Sequence, residues 1–198
     1  MEIPSLIAPP TALSALALEV AERYCTPALL NHSIRSYAWA VDYAHRHGIN
    51  FDDELLYVAA LLHDCGLAPA FDNHTMSFEE AGGHLAWVFG AAAGWEPARR
   101  VRVSEIIVRH MWNEVDPAVD AEGHLLEVAT SLDISGSNLD DWAPEFRTRV
   151  LDLLPRLDLR NEFVSCFQDQ SRRKPASAAA GAIRSGIAAR MAANRLDD

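Results

Sequence analysis

Leu56, Ala59, Ala60 and His63 fall at i, i+3, i+4 and i+7, the spacing of one helix face, and that face runs straight into Asp64, Cys65 and Gly66. A helix that turns three apolar residues inward turns His63 inward with them. An acid beside an inward histidine at the rim of a core costs several kcal/mol unless a charge compensates it, about what an unpaired buried ion loses. A divalent metal is an economical compensation. For an isolated His-Asp pair, a core histidine beside an uninvolved acid is the competing reading, so the rest of the chain has to decide.

The remaining chain is punctuated for helices. Pro9 and Pro10 close a loose N-terminal segment, residues 1–10, and Thr11 caps a helix to about Tyr24 with Leu13, Leu16, Ala17 and Val20 on one side. Thr26-Pro27 and Gly48 bracket a second helix with His32 in its opening turns. Asp52 and Asp53 start the third, which ends at the His-Asp pair; residues 67–76 have loop composition. Ser77 and Glu80 form a capping box for a fourth helix through Gly82-Gly83. Each glycine would weaken an exposed helix by about 1 kcal/mol, so the pair is expected to allow close approach of a helix or a substrate.

Pro97 opens a fifth helix in which Val103, Ile106, Ile107 and His110 share a face, and a loop follows from about Trp112 to Gly123. In a sixth, from about His124 to Ile134, Leu126, Ala129, Thr130 and Asp133 share a face, which puts a carboxylate on an apolar stripe. Pro144 to about Leu154 and Asn161 to Arg172 read as two more. Residues 176–198 form an Ala-rich tail, packed or frayed. With no strand pattern, repeat or Gly-rich phosphate loop, the expectation is an all-α, single-domain bundle of about seven to nine helices over residues 11–175.

At 198 residues and 49% hydrophobic content, such a domain buries roughly 70% of its unfolded surface. The net charge of −11 argues against a nucleic-acid or anionic-membrane surface and leaves a small molecule as the expected partner, with homo-oligomerisation open. Cys25, Cys65 and Cys166 have neither disulfide-framework nor zinc-knuckle spacing, which suits a reducing cytosol. No positively charged leader or run of ~18–20 apolar residues is present, so the expected location is cytoplasmic.

Two imidazoles and two carboxylates, His32, His63, Asp64 and Asp133, thus come from three helices. The set suits Zn, Fe(II), Mn or Ni rather than Ca or Mg, because imidazole prefers the former group. A metal that lowers the pKa of water from about 15.7 towards ~7 supplies hydroxide at neutral pH, so hydrolysis or hydration is the chemistry; redox use and a purely structural ion are the alternatives.

The order His32, His63-Asp64, Asp133 resembles the HD-domain superfamily of metal-dependent hydrolases. Four stretches resemble its cyanamide hydratase group more than its nucleotidases: LLNHSIRSYAWA around His32, LLHDCG at the pair, TMSFEEAGGHLA after the loop, and IIVRHMWNE around His110. The resemblance runs from about residue 20 to residue 175. It implies an HD-type helical bundle with His32, His63, Asp64 and Asp133 on one metal, zinc ahead of Fe, Mn or Ni. It also implies that Thr75, Glu79 and His110 surround the pocket. Thr75 would then contact substrate. His110, which also sits on an apolar face, would donate a proton or steady a reacting nitrogen, or else be a hydrogen-bonded core histidine behind a ligand, and Glu79 would be a general acid/base or merely the charge favoured in a helix's first turn. A second metal at His84 and His110 is not suggested.

Arg35, one turn from His32, either meets a phosphate or pairs with an acid. His45 and His47 read as surface residues before the Gly48 stop, and His74 as a solvated loop residue. The five tryptophans read as core or rim, and Cys65 lacks a neighbouring base to activate it. The reaction so implied is hydration of a small nitrile, cyanamide to urea. A phosphohydrolase using Arg35 is the alternative, and a non-catalytic metal-stabilised sensor the third reading.

Overall fold

The structure, a computed structural model, describes residues 3–197. Residues 1, 2 and 198 of the two terminal segments lie outside it. Among the described residues there are helices and no strands. The helices are α1 (Ile3–Ile7), α2 (Ala12–Tyr24), α3 (Pro27–His47), α4 (Asp53–Leu62), α5 (Phe78–Ala92), α6 (Pro97–Arg109), α7 (Ala121–Ser135), α8 (Pro144–Leu153), α9 (Leu159–Arg173), α10 (Ala178–Arg184) and α11 (Ile187–Ala192). Eight have ten or more residues, in line with the bundle expected, and α1, α10 and α11 are short additions.

The caps lie where the side chains dictate. Thr11, Thr26 and Asp52 each accept a hydrogen bond from a backbone N–H three residues on, Gly48 closes α3 at φ 65°, and Ser77 and Glu80 make the capping box of α5. α7 begins three residues before the expected His124, because Asp120 caps it by accepting from Gly123 N at 2.7 Å.

α3 is the spine. It packs against α4 and α7, α2 covers α4, and α5 and α6 form a hairpin closed on α4. The main core gathers Trp39, Trp142, Tyr57 and Ile106. A smaller apolar cluster of Phe78, Phe163, Phe167, Ile134 and Met191 lies beside it. α4 is buried on every side, from Leu55 to Leu62, so its inward face is wider than the Leu56/Ala59/Ala60/His63 stripe.

Two expectations change and one open alternative is decided. The N-terminal segment is not loose: α1 places Ile3 and Leu6 in the main core against α3. In α2 Ala17 is buried and Leu13 and Val20 pack against the main core as expected, but Leu16 is 49% exposed and Ser14 and Ala21 are buried. Small residues let α2 lie close on α4, and Ser14 is drawn in by its hydrogen bonds to Thr11. The Ala-rich tail is packed: Ala179, Ala180, Ile187 and Met191 are buried, with a break at Gly186 where φ is 82°. Its end is tied to α7, where Asn194 Nδ2 donates to Asp133 O at 3.0 Å, and Arg156 donates to the same carbonyl and to Asp197. No described helix is long and apolar enough to cross a membrane.

Candidate metal centre

Where α4 stops, two adjacent side chains are made to converge. Consecutive residues of a regular helix point about 100° apart. His63 keeps helical angles, but Asp64 leaves them (φ −99°, ψ 1°), and Asp64 Oδ2 comes within 3.3 Å of His63 Nε2. α5 lies hard against this turn. A Cβ on Gly82 would sit 2.7 Å from His63 O, so the glycine expected to permit a close approach does so here. His32 enters from the second turn of α3, fully buried.

The hydrogen-bond pattern fixes which ring atoms are free. His63 Nδ1 lies 2.8 Å from Ala60 O, His32 Nδ1 2.7 Å from Asp133 Oδ2, and His110 Nδ1 within hydrogen-bond distance of Ile107 O. Each of those oxygens can only accept, so each Nδ1 carries the hydrogen and each Nε2 presents a lone pair. His32 Nε2 and His63 Nε2 then face one another at 3.2 Å, and Asp64 Oδ2 is 3.4 Å from the first and 3.3 Å from the second. Both Asp64 oxygens are buried without a hydrogen-bond donor.

Three acceptors at such distances repel one another unless a cation lies among them. Ligands held about 2.0–2.1 Å from a tetrahedral zinc are separated by about 3.3 Å, which is the edge found here. The residues present therefore fit a divalent metal, with three protein ligand atoms on one face of the tetrahedron.

The surrounding charges agree with this. Burial alone would raise the Asp64 carboxyl, yet the two imidazoles beside it, His63 first and then His32, hold it well below the usual range. Burial disfavours a charge on His32, and Asp133 and Asp64 overcome that and raise its pKa.

Asp133, expected as a fourth ligand, stands behind His32. Its Oδ1 accepts from Arg35 Nε and Trp39 Nε1, both at 2.8 Å, and its Oδ2 from Arg35 Nη2 at 2.8 Å and from His32 Nδ1. The group whose ligand atoms lie within 4.8 Å of one another is His32, His63 and Asp64. Burial works to raise the Asp133 carboxyl, and the Arg35 guanidinium and His32 hold it far below the ordinary value.

Arg35 is fully buried, bonded to Asp133 and donating to the carbonyls of Leu154 and Pro155, so it pairs with an acid and is not part of the cavity wall where a phosphate would sit. His110 caps α6, and its Nε2 stands 3.9 Å from Asp64 Oδ1. Burial, reinforced by His63, pushes the His110 pKa down to about 3.

A cavity of about 520 Å³ opens on the triad and is lined by His32, His63, Asp64 and His110. Thr75 does not line it. It is exposed and bonded to Asn73 Oδ1 in a surface turn. Glu79 is buried near the centre with Oε2 unpartnered, and burial pushes its carboxyl up, but it too is absent from the cavity wall. His84 is exposed on α5, away from the buried His110, and His45, His47 and His74 are exposed as expected. Trp112, 53% exposed, lines the cavity.

Sequence reasoning overlooked the walls. Phe163 and Phe167, one turn apart on α9, and a stripe of α7 beginning at Glu127 line the same space, as do Ser185 and Arg190 from the tail. The spacing of the α7 stripe was there to be read, whereas the tail's place over the site was not.

Residues 29–138, from the start of α3 past the end of α7, match the family model of the HD domain. The chain belongs to the HD-domain family. This HD-domain chain is similar to two curated proteins of Saccharomyces cerevisiae, cyanamide hydratase DDI2 and cyanamide hydratase DDI3. Each is 32% identical over 177 residues, which cover 86% of this chain and 78% of the relative. The match makes it a metal-dependent hydrolase or hydratase, with His63-Asp64 as the eponymous pair.

Proposed function

We propose that this HD-domain chain is a zinc-dependent hydratase that adds water across the C≡N bond of cyanamide to give urea. The triangle of His32 Nε2, His63 Nε2 and Asp64 Oδ2, with edges of 3.2–3.4 Å and one side open to a cavity, is the observation that carries the metal chemistry. The substrate follows from the two relatives, whose names state it.

Bound there, zinc supplies Lewis acidity and an activated water. The chain's own groups do the rest. His32 and His63 are held in the correct tautomer by Asp133 and the Ala60 carbonyl, and the Asp64 carboxylate balances the cation's charge. His110 Nε2, the free acceptor beside Asp64, takes a proton from the water as its oxygen bonds to the nitrile carbon. It then returns that proton to the nitrile nitrogen, giving isourea, HN=C(OH)NH2, and transfer of the remaining hydroxyl proton to the imine nitrogen completes urea with every atom of cyanamide and water accounted for. Seated on the aromatic wall, the substrate is shielded from bulk water by Phe163 and Phe167.

The phosphohydrolase alternative loses the residue it relied on, because Arg35 is committed to Asp133. A sensor without turnover has no use for an acceptor at the open side of the triad.

The decisive assay is urea formation from cyanamide by zinc-loaded protein, beside His63→Ala. Urea release that is lost together with zinc in the variant is expected. A zinc-loaded wild type that forms no urea refutes the proposal.

A further inference from the structure

The cavity holds more room than cyanamide fills. It is among the smallest nitriles, whereas about 520 Å³ is within the range occupied by drug-sized ligands. One wall follows from the register of α7: Glu127, Thr130, Ser131, Ile134 and Ser135 are spaced i, i+3, i+4, i+7 and i+8, and all line the cavity. Four of these five side chains are polar, on a helix whose other faces are packed into the core. The opposing wall is apolar, with the rings of Phe163 and Phe167 4.2 Å apart between centroids.

The polar stripe also extends away from the metal ligands. Asp133 marks the level of the triad through its hydrogen bond to His32. Glu127 precedes it by six residues, about 9 Å along the helix axis at 1.5 Å per residue. Its carboxylate accepts from Ser131 Oγ at 3.0 Å. Burial raises its pKa against that hydrogen bond, and the neighbouring like charge of Glu114 raises it further. An acceptor kept half-buried in a substrate cavity, beside another negative charge, favours a hydrogen-bond donor from the ligand. Arg190 lines the same cavity and is engaged with Ser185 O and Oγ, so a neutral donor suits the space better than a second cation.

We propose that Glu127 determines specificity by accepting a hydrogen bond from an N–H at the far end of an extended nitrile. The preferred substrate is then an N-substituted cyanamide whose chain crosses the aromatic wall and ends in a neutral N–H donor such as a primary amide. This rests on the hydratase reading above. The separation of Glu127 from the triad along the helix axis calls for a chain of several bonds between the reacting carbon and the donor nitrogen.

The test uses three probes on the zinc-loaded protein: cyanamide, an N-alkylcyanamide with a chain of that length ending in a primary amide, and the same chain ending in methyl. In the wild type kcat/KM should favour the amide-ended probe over the methyl-ended one by about tenfold. That ratio should fall to near one in Glu127→Ala and stay well above one in Glu127→Gln, which keeps an acceptor and the side-chain volume. A wild-type ratio near one, or a ratio unchanged in Glu127→Ala, overturns the assignment even though cyanamide is hydrated. Turnover of none of the three probes removes the hydratase reading and the specificity together.

Discussion

Asp133 ties three buried side chains together behind the triad. It orients His32, neutralises the fully buried Arg35 and receives the Trp39 indole N–H. Asp133→Asn should therefore destabilise the fold by about 3–5 kcal/mol, because it leaves a guanidinium buried without its counter-charge. The same change should weaken zinc binding, since an amide nitrogen facing His32 Nδ1 disfavours the tautomer that frees Nε2. Urea melts of the metal-free variant, with zinc titration, separate the two effects. Loss of zinc affinity at unchanged stability would show that Arg35 does not need the carboxylate. That Asp133 faces inward was legible from its place on an apolar stripe. That it faces His32 rather than the ligand triangle was not, because the choice depends on Arg35, Trp39 and Arg156, which arrive from distant parts of the chain.

At the level of elements, α6 and α7 are joined at the start of α7. Asp120, 2% exposed, accepts from Arg102, from Arg109 at 2.5 Å and from Gly123 N. Burial would raise its pKa, and the two arginines and the backbone N–H lower it. A carboxylate whose folded pKa is depressed adds stability above its unfolded pKa of about 4, and loses it as pH falls from there through the folded value. Asp120→Asn should cost about 2 kcal/mol at pH 7, and the gap to wild type should close progressively below about pH 4. Denaturant melts across that range check the sign: a gap that widens in acid contradicts it. The helices themselves were largely readable, because Thr11, Thr26, Asp52, Ser77 and Gly48 act through bonds within four residues of themselves. On α2 only Leu16 was misplaced: Ala17 is buried and Leu13 and Val20 pack on the core, while Leu16 turns outward and the small Ser14 lies in the contact. The cavity walls on α9 and the tail needed tertiary information that no local spacing carries.

For the molecule as a whole, the triad couples metal binding to stability. Zinc at about 100 times its Kd should add about 2.7 kcal/mol, which for a domain of this size is roughly 5–10 °C in Tm. Chelation followed by calorimetry should remove that increment and re-addition restore it, whereas an unchanged Tm would show that no metal is held. The tie between the tail and α7 also sets an order of events during synthesis. Asn194, which shares the Asp133 carbonyl with Arg156, is made 61 residues after it. At 5–20 residues per second that is roughly 3–12 s of translation. Until the tail has followed, the cavity lacks the wall that Ser185 and Arg190 supply. Metal uptake into a walled site therefore waits for the tail, and a nascent chain that lacks it presents the His-Asp pair to whatever ions surround it.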